Sequence, residues 1–230
     1  MSDSLPNDAV TIRSLSALHA PNLPHLRRRG EMMPIPPLYY IRHGETDWNA
    51  EYRYQGQKDI PLNKKGEGQA RRNGRVLAEI LPDPTHTNLF CSPMTRTRQT
   101  LALVMEAAGW ADSDWAKSVR FEDKIIEFSF GDWEGWTLEE IKVREPELYW
   151  EREKDKWTTR MPNGESYQML AERVGDWLHS LDKPTVVIAH GGVLRIVRHF
   201  LEKVPELEAP MLKTPQDKIY YWDGQQASWI

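Results

Sequence analysis

From Leu38 onward the chain alternates short apolar runs with longer stretches of helical periodicity. Leu38-Tyr39-Tyr40-Ile41 and Asn88-Leu89-Phe90-Cys91 have the length and density of buried strands. Thr185-Val186-Val187-Ile188-Ala189 is continuous and β-branched, which suits a central parallel strand covered on both faces. Ile219 to Trp222 predicts a late strand. Asn63 predicts the N-cap of a helix running through Ala70, Leu77 and Ile80 and ended by Pro82. Ser92 predicts a second cap, with Pro93 at the first helical position, where its missing N–H costs nothing. That helix carries Met94, Thr97, Leu101, Val104 and Ala108 along one face, and Gly109 stops it. Ser166 to Leu181 sets Leu170, Val174, Trp177, Leu178 and Leu181 at amphipathic spacing. Gly191 and Gly192 open a last apolar helix through Leu194, Val197 and Leu201. This alternation predicts an α/β fold, a three-layer α/β/α sandwich around a mostly parallel sheet. The charged stretch 136–157 reads as a helical excursion over the sheet's edge. No internal repeat or linker interrupts 38–230, which predicts a single domain.

Residues 1–37 differ. They hold Pro6, Pro21, Pro24, Pro34, Pro36 and Pro37, the basic cluster Arg27-Arg28-Arg29 and no sustained periodicity. Proline and charge leave little to bury, so a disordered N-terminal extension is expected, with Met32 or Met33 as an alternative start. Over the whole chain, 30 basic and 34 acidic residues give a net charge of −4. That is not the footprint of a general nucleic-acid binder. No apolar run approaches the roughly 18 residues of a membrane helix. The single cysteine, Cys91, excludes an intrachain disulfide and a four-cysteine zinc site, and suits a reducing, cytoplasmic setting. Ten tryptophans suit core, a ligand pocket or an interface, a homodimer among them.

Open parallel sheets bind ligands beyond the carboxyl ends of their strands. Arg42-His43-Gly44-Glu45 follows the first strand, Ser92-Pro93-Met94-Thr95-Arg96 the second and His190-Gly191-Gly192 the central one. Two arginines, two histidines and two glycines thus converge on one rim. Arginine forks match phosphate oxygens, helix N-termini add free N–H groups, and glycines admit close approach. Neutral imidazole is a competent nucleophile. The rim therefore suits a phosphoryl group. The rival is a metal site made of His43, His190, Glu45 and Glu127, against which Arg42 and Arg96 would repel a cation. His199, inside the last helix, reads as packing.

The segment from Tyr40 to Asn49, Tyr54-Gln55-Gly56, Asp59 to Leu62, Ser92 to Arg96, Glu127 with Phe130 to Gly135, Asn163 to Ser166, and Ala189 to Gly192 occur in one order. Together they resemble the histidine phosphatase superfamily, the phosphoglycerate mutase-like proteins, over nearly all of 38 to about 223. The resemblance implies His43 as the nucleophile that becomes phosphohistidine. It sets Arg42, Arg96 and His190 around the phosphoryl group, with Asn49 hydrogen-bonded to it. Glu127 is implied as proton donor to the leaving oxygen, and Gln55 and Gly56 as a substrate-touching loop. Gly191 belongs to the same binding rim. No metal and no cofactor are implied, and the partner is a small phosphorylated substrate.

Both phosphatases and cofactor-dependent mutases share this apparatus. The mutases resemble one another in a Thr-Gly loop, a longer insertion after the acid and Asn-Ser after the second histidine. Here the loop is Gln55-Gly56, Gly191-Gly192-Val193 follows His190, and Pro162 arrives only about 35 residues after Glu127. Each departure resembles the phosphatase branch. The expected activity is thus a phosphomonoesterase, with the mutase and a catalytically silent phospho-ligand binder as alternatives. Trp133 and Trp136, with Trp110, Trp115, Trp150 and Trp157, either wall a pocket for the leaving group or pack the core.

Overall fold

The computed structural model describes residues 34–230. The extension expected over 1–37 lies, as far as residue 33, outside the described residues. Just before the first strand, Ile35 packs on the core, and the Pro37 carbonyl accepts from the Thr185 N–H (2.9 Å).

In chain order the elements are β1 (Leu38–Arg42), α1 (Asp47–Ala50), α2 (Lys64–Ile80), β2 (Asn88–Cys91), α3 (Thr95–Ala107), α4 (Asp114–Lys117) and β3 (Arg120–Phe121). Then come α5 (Leu138–Arg144), α6 (Pro146–Lys154), α7 (Tyr167–Leu178), β4 (Thr185–Ala189), α8 (Gly191–Glu202), β5 (Ile219–Trp222) and β6 (Ala227–Trp229). They form a sheet of order β3-β2-β4-β1-β5-β6. The first four strands in that order are parallel, and β5 and β6 close one edge antiparallel. The α/β fold is that of the expected sandwich.

Side chains alternate across a strand, and both faces of this sheet are apolar. Leu38, Tyr40, Phe90, Val187, Ala189 and Tyr220 face α7 and α8, meeting Leu170, Val174, Ile196 and Val197. Ile41, Leu89, Cys91, Val186, Ile188 and Ile219 face the other way, onto Leu77 of α2, Leu101 and Val104 of α3 and Trp115 of α4. Continuous apolar strands are therefore what two covering layers demand. Ile141 of α5 and Tyr149 of α6 join the first of these clusters, so the 136–157 excursion extends that layer. Most tryptophans follow the core reading: Trp115, Trp133, Trp157, Trp177 and Trp222 are buried in the two clusters, Trp110 and Trp136 pack against them, and Trp150 is exposed.

Two helix boundaries differ from the pattern. α3 begins at Thr95, not Pro93, and Ser92 does not cap it. Asp59, from a distant loop, accepts instead from the Thr95 N–H (2.8 Å) and hydroxyl (2.6 Å). α7 stops at Leu178, where the Ser180 hydroxyl takes the Trp177 carbonyl (2.6 Å), and Leu181 is buried from a turn. Strands β3 and β6 are two and three residues long, too short to show a periodicity. No described helix is long and apolar enough to cross a membrane.

Candidate active site

Strand register places the chemistry. Arg42 pairs with Ala189 and Cys91 with Ile188. The ladder continues one step, His43 N–H to the Ala189 carbonyl (2.9 Å) and Ser92 N–H to the Ile188 carbonyl (3.0 Å). His43, Ser92 and His190 thus leave three neighbouring strands at one level. After β1 and β4 the covering helices lie on opposite faces, α2 on one and α8 on the other. The crevice between them is where such sheets hold ligands. It contains a cavity of about 380 Å³, lined by Arg42, His43, Asn49, Arg96, Glu127 and Gly191 among others.

His43 is buried, and its Nδ1 lies 2.8 Å from the Gly44 carbonyl. A carbonyl only accepts, so Nδ1 carries the hydrogen and Nε2 keeps its lone pair. Burial, then the charges of Arg96 and Arg42, hold the His43 pKa well below the usual histidine value. The ring is neutral near neutral pH.

Arg42 donates through Nη1 to the Thr214 carbonyl (2.7 Å), while its buried Nε has no partner. Arg96 is fully buried. It donates to the carbonyls of Lys58 (2.8 Å) and Gly56 (2.7 Å), and through Nη1 and Nε to the Gln55 amide oxygen (2.9 and 2.7 Å). Burial lowers both guanidinium pKa values to about 10, which leaves both cationic at neutral pH. Gln55 and Gly56 line the cavity, and they also hold Arg96 in place. Asn49 spends its amide oxygen on the Thr46 N–H (3.3 Å) and Gln216 Nε2 (3.1 Å), which leaves its NH₂ group to donate.

Glu127 sits across the cavity. Its Oε1 accepts from the N–H groups of Phe128 (2.9 Å) and Gly192 (3.0 Å). A Cβ on Gly192 would lie 2.5 Å from that oxygen, and one on Gly191 would lie 3.2 Å from Arg42 Nε. The glycine pair therefore lets an acid and a guanidinium approach the N-terminus of α8 together. The loop carrying Glu127 is tied down by Arg173 of α7. Its guanidinium donates to the carbonyls of Lys124 (2.8 Å), Ile126 (2.7 Å) and Glu127 (3.1 Å) and pairs with Glu165 (2.8 Å).

His190 is fully buried, and its ring centre lies 5.2 Å from that of His43. Its Nε2 meets the Ser92 hydroxyl at 2.7 Å, and its Nδ1 has no partner. Burial, then the charge of Arg96, hold its pKa well below the usual value.

The expected residues thus come together, and so do others that the sequence reading passed over. Arg195, one turn into α8, lines the cavity beside Tyr167, whose hydroxyl it meets at 3.2 Å. A cation inside an apolar helix, four positions after Gly191, was a readable signal. Gln216, which bridges the His43 carbonyl (3.1 Å) and Asn49, carried none. The outer wall is Tyr52, Arg53, Tyr54, Phe128, Phe130 and Leu138. None of the tryptophans lines the cavity. Glu45, part of the rival metal set, instead pairs with Lys65 (2.6 Å) and accepts from Asn63 (3.1 Å). No three His, Cys, Asp or Glu among the described residues are grouped to hold a metal ion.

An orphaned guanidinium N–H on Arg42, an unpartnered ring nitrogen on His190, several cations and one acid suit a site for a tetrahedral anion with a leaving group. The chain's likenesses to known proteins agree. A model of the histidine phosphatase superfamily (branch 1) matches residues 38–229. The "Probable phosphoglycerate mutase GpmB" of Shigella boydii serotype 18 is 32% identical over 200 residues, covering 84% of this chain and 87% of that protein. Among solved structures, TTHB049 from Thermus thermophilus is 32% identical with a TM-score of 0.61, over 81% of this chain and 93% of that one. The alpha-ribazole phosphatase of Shigella flexneri shares the fold, with a TM-score of 0.70 at 24% identity, over 84% of this chain and 94% of that one.

Proposed function

This chain belongs to branch 1 of the histidine phosphatase superfamily, and on that premise we propose that it is a phosphomonoesterase working through phosphohistidine at His43. The observation that carries the reading is the His43 ring. It is neutral and fixed by the Gly44 carbonyl, and its Nε2 lone pair is free beside Arg42 and Arg96. The substrate is a small phosphorylated metabolite.

His43 Nε2 attacks phosphorus, and the bond from phosphorus to the ester oxygen breaks. Glu127, as the carboxylic acid, gives its proton to that oxygen, because an alkoxide leaves poorly unaided. Arg42, Arg96, His190 and the Asn49 amide meet the charge on the phosphoryl oxygens. Gly191 and Gly192 bring the N-terminus of α8 to the same place. Water then attacks phosphohistidine while the Glu127 carboxylate takes its proton. The N–P bond breaks, its electron pair returns to Nε2, and inorganic phosphate leaves. Guanidinium groups supply the positive charge throughout, so no step needs a metal. Buried Cys91, its thiol pushed up to about 12 by burial, fits a cytoplasmic setting. Residues 38–230 act as one domain.

The likeness to proteins named as mutases favours a second reading, phosphoglycerate mutase. One assay separates the two. With 3-phosphoglycerate and a trace of 2,3-bisphosphoglycerate, little 2-phosphoglycerate is expected, whereas p-nitrophenyl phosphate should release phosphate. Efficient isomerisation without phosphate release reverses the choice. For the intermediate itself, acid-labile, alkali-stable phosphate should be trapped on the wild type, and His43→Ala should lose activity by about 10⁴-fold or more. Turnover of that variant within about tenfold of wild type sinks the mechanism.

A further inference from the structure

Ser92 follows β2, fully buried, and the helix after it does not use its hydroxyl. The Ser92 backbone is committed elsewhere, its N–H to the Ile188 carbonyl (3.0 Å) and its carbonyl to the Thr97 hydroxyl (2.8 Å). The hydroxyl meets one group, His190 Nε2, at 2.7 Å. Tyr40 pins the backbone of His190. Its hydroxyl donates to the His190 carbonyl (2.7 Å) and accepts from the His190 N–H (3.0 Å). The imidazole thus has little freedom except in which nitrogen holds its hydrogen.

A proton count decides between the two neutral forms. A serine hydroxyl has one hydrogen to give, and here the acceptor within reach is Nε2. If Ser92 donates, Nε2 is the lone-pair nitrogen and Nδ1 carries the ring hydrogen. One buried donor, Nδ1–H, is then left over beside His43. A phosphoryl oxygen on His43 would satisfy it. If Nε2 donates instead, the buried serine hydrogen has no acceptor, and Nδ1 turns a lone pair toward the incoming anion. A buried unmet group costs about 1–3 kcal/mol, and this second arrangement leaves two of them.

We propose that Ser92 is a positioning residue that donates to His190 Nε2, fixes the Nδ1–H form and so presents His190 as a hydrogen-bond donor to the transferring phosphoryl group. The purpose of the arrangement rests on the phosphohistidine reading. The form of the ring does not, and it is measured without substrate. In the ¹⁵N-labelled full chain at about pH 7, long-range ¹⁵N–¹H spectra should show His190 Nδ1 protonated and Nε2 bearing the lone pair. The signal is assigned by its loss in His190→Gln. Ser92→Ala should mix the two forms and lower kcat by about 10- to 100-fold, less than the roughly 10²–10³ of deleting a donor outright. Ser92→Thr, which keeps the hydroxyl, should restore both readouts. A wild-type His190 protonated at Nε2, or at both nitrogens, overturns the proposal whether or not any variant folds. So does a Ser92→Ala protein with the wild-type spectrum and kcat. Should His43→Ala stay active while His190 has the expected form, the phosphohistidine reading falls and the Ser92–His190 bond stands.

Discussion

The floor and the outer wall of the cavity are built on different principles. The floor, Arg42, His43, Arg96 and His190, issues from the ends of three adjacent strands or the helix that follows. Both histidines and Arg96 are buried and tied to backbone groups or to one another's loops. The wall, Tyr52, Arg53, Tyr54 and Leu138, comes from loops and short helices. Tyr52 is 85% exposed and holds a left-handed backbone with φ 57°, unusual for a bulky residue. Backbone register sets the floor, so it can hold atoms where phosphoryl chemistry needs them. The wall is held by loop-to-loop hydrogen bonds such as Tyr54 N–H to the Trp136 carbonyl (2.9 Å) rather than by strand register, and loop residues are where discrimination between substrates is cheaply varied.

The floor should tolerate substitution least. Arg96→Lys keeps the charge but loses the fork that meets Gln55, Gly56 and Lys58. It should lower kcat/KM by about 10²-fold. A value within threefold of wild type, about 0.6 kcal/mol, would show that register at the floor matters less than argued. Between floor and wall, on α8, Arg195→Gln should raise KM for phosphomonoesters by about tenfold with kcat little changed, the loss of one charge-assisted contact. A fall in kcat with KM constant would move Arg195 into the floor.

The floor should also announce itself in stability. His43 and His190 are kept neutral when folded, first by burial and then by neighbouring charge, so their pKa values lie well below the unfolded value. Below about pH 6.5 the unfolded chain takes up protons that the folded chain refuses, so stability is lost as pH falls through that window. The melting temperature should drop between about pH 7 and 5, and His43→Asn should flatten the drop. An unchanged slope would assign the acid sensitivity to carboxylates instead. The smallest effect belongs to the wall. Tyr52→Gly removes the left-handed strain and should raise the melting temperature by about 1–3 °C. It should also raise KM for aromatic phosphomonoesters relative to small ones. Lower stability would mean that Tyr52 packs more than its exposure suggests.

Much of this was legible in the chain. β2, β4 and β5 match the runs read for them residue for residue, because two covering layers leave almost every position between them apolar. Asn63 caps α2 as read, since its partner, the Gly66 N–H (2.9 Å), lies three residues away. Ser92 was misread by the same local logic. Asp59 supplied the cap, and the serine turned to a histidine 98 positions on. The reach of Gln216 to His43 and of Arg173 to the Glu127 loop was equally invisible, since neither has a local motif.

The sequence by itself determined the layers, the order of the four longer strands and the helices that cover them, and which residues stand at the strand ends, because periodicity, caps and glycines act over a few residues. Only the tertiary structure decided how those ends are furnished. It gave the His43 hydrogen to Nδ1 through the Gly44 carbonyl, seated Glu127 on Gly192, and set the Ser92 hydroxyl against His190. Most of these are hydrogen bonds between groups tens of residues apart. Their worth comes from burial, which raises the cost of any unmet donor, and burial exists only once the layers have closed.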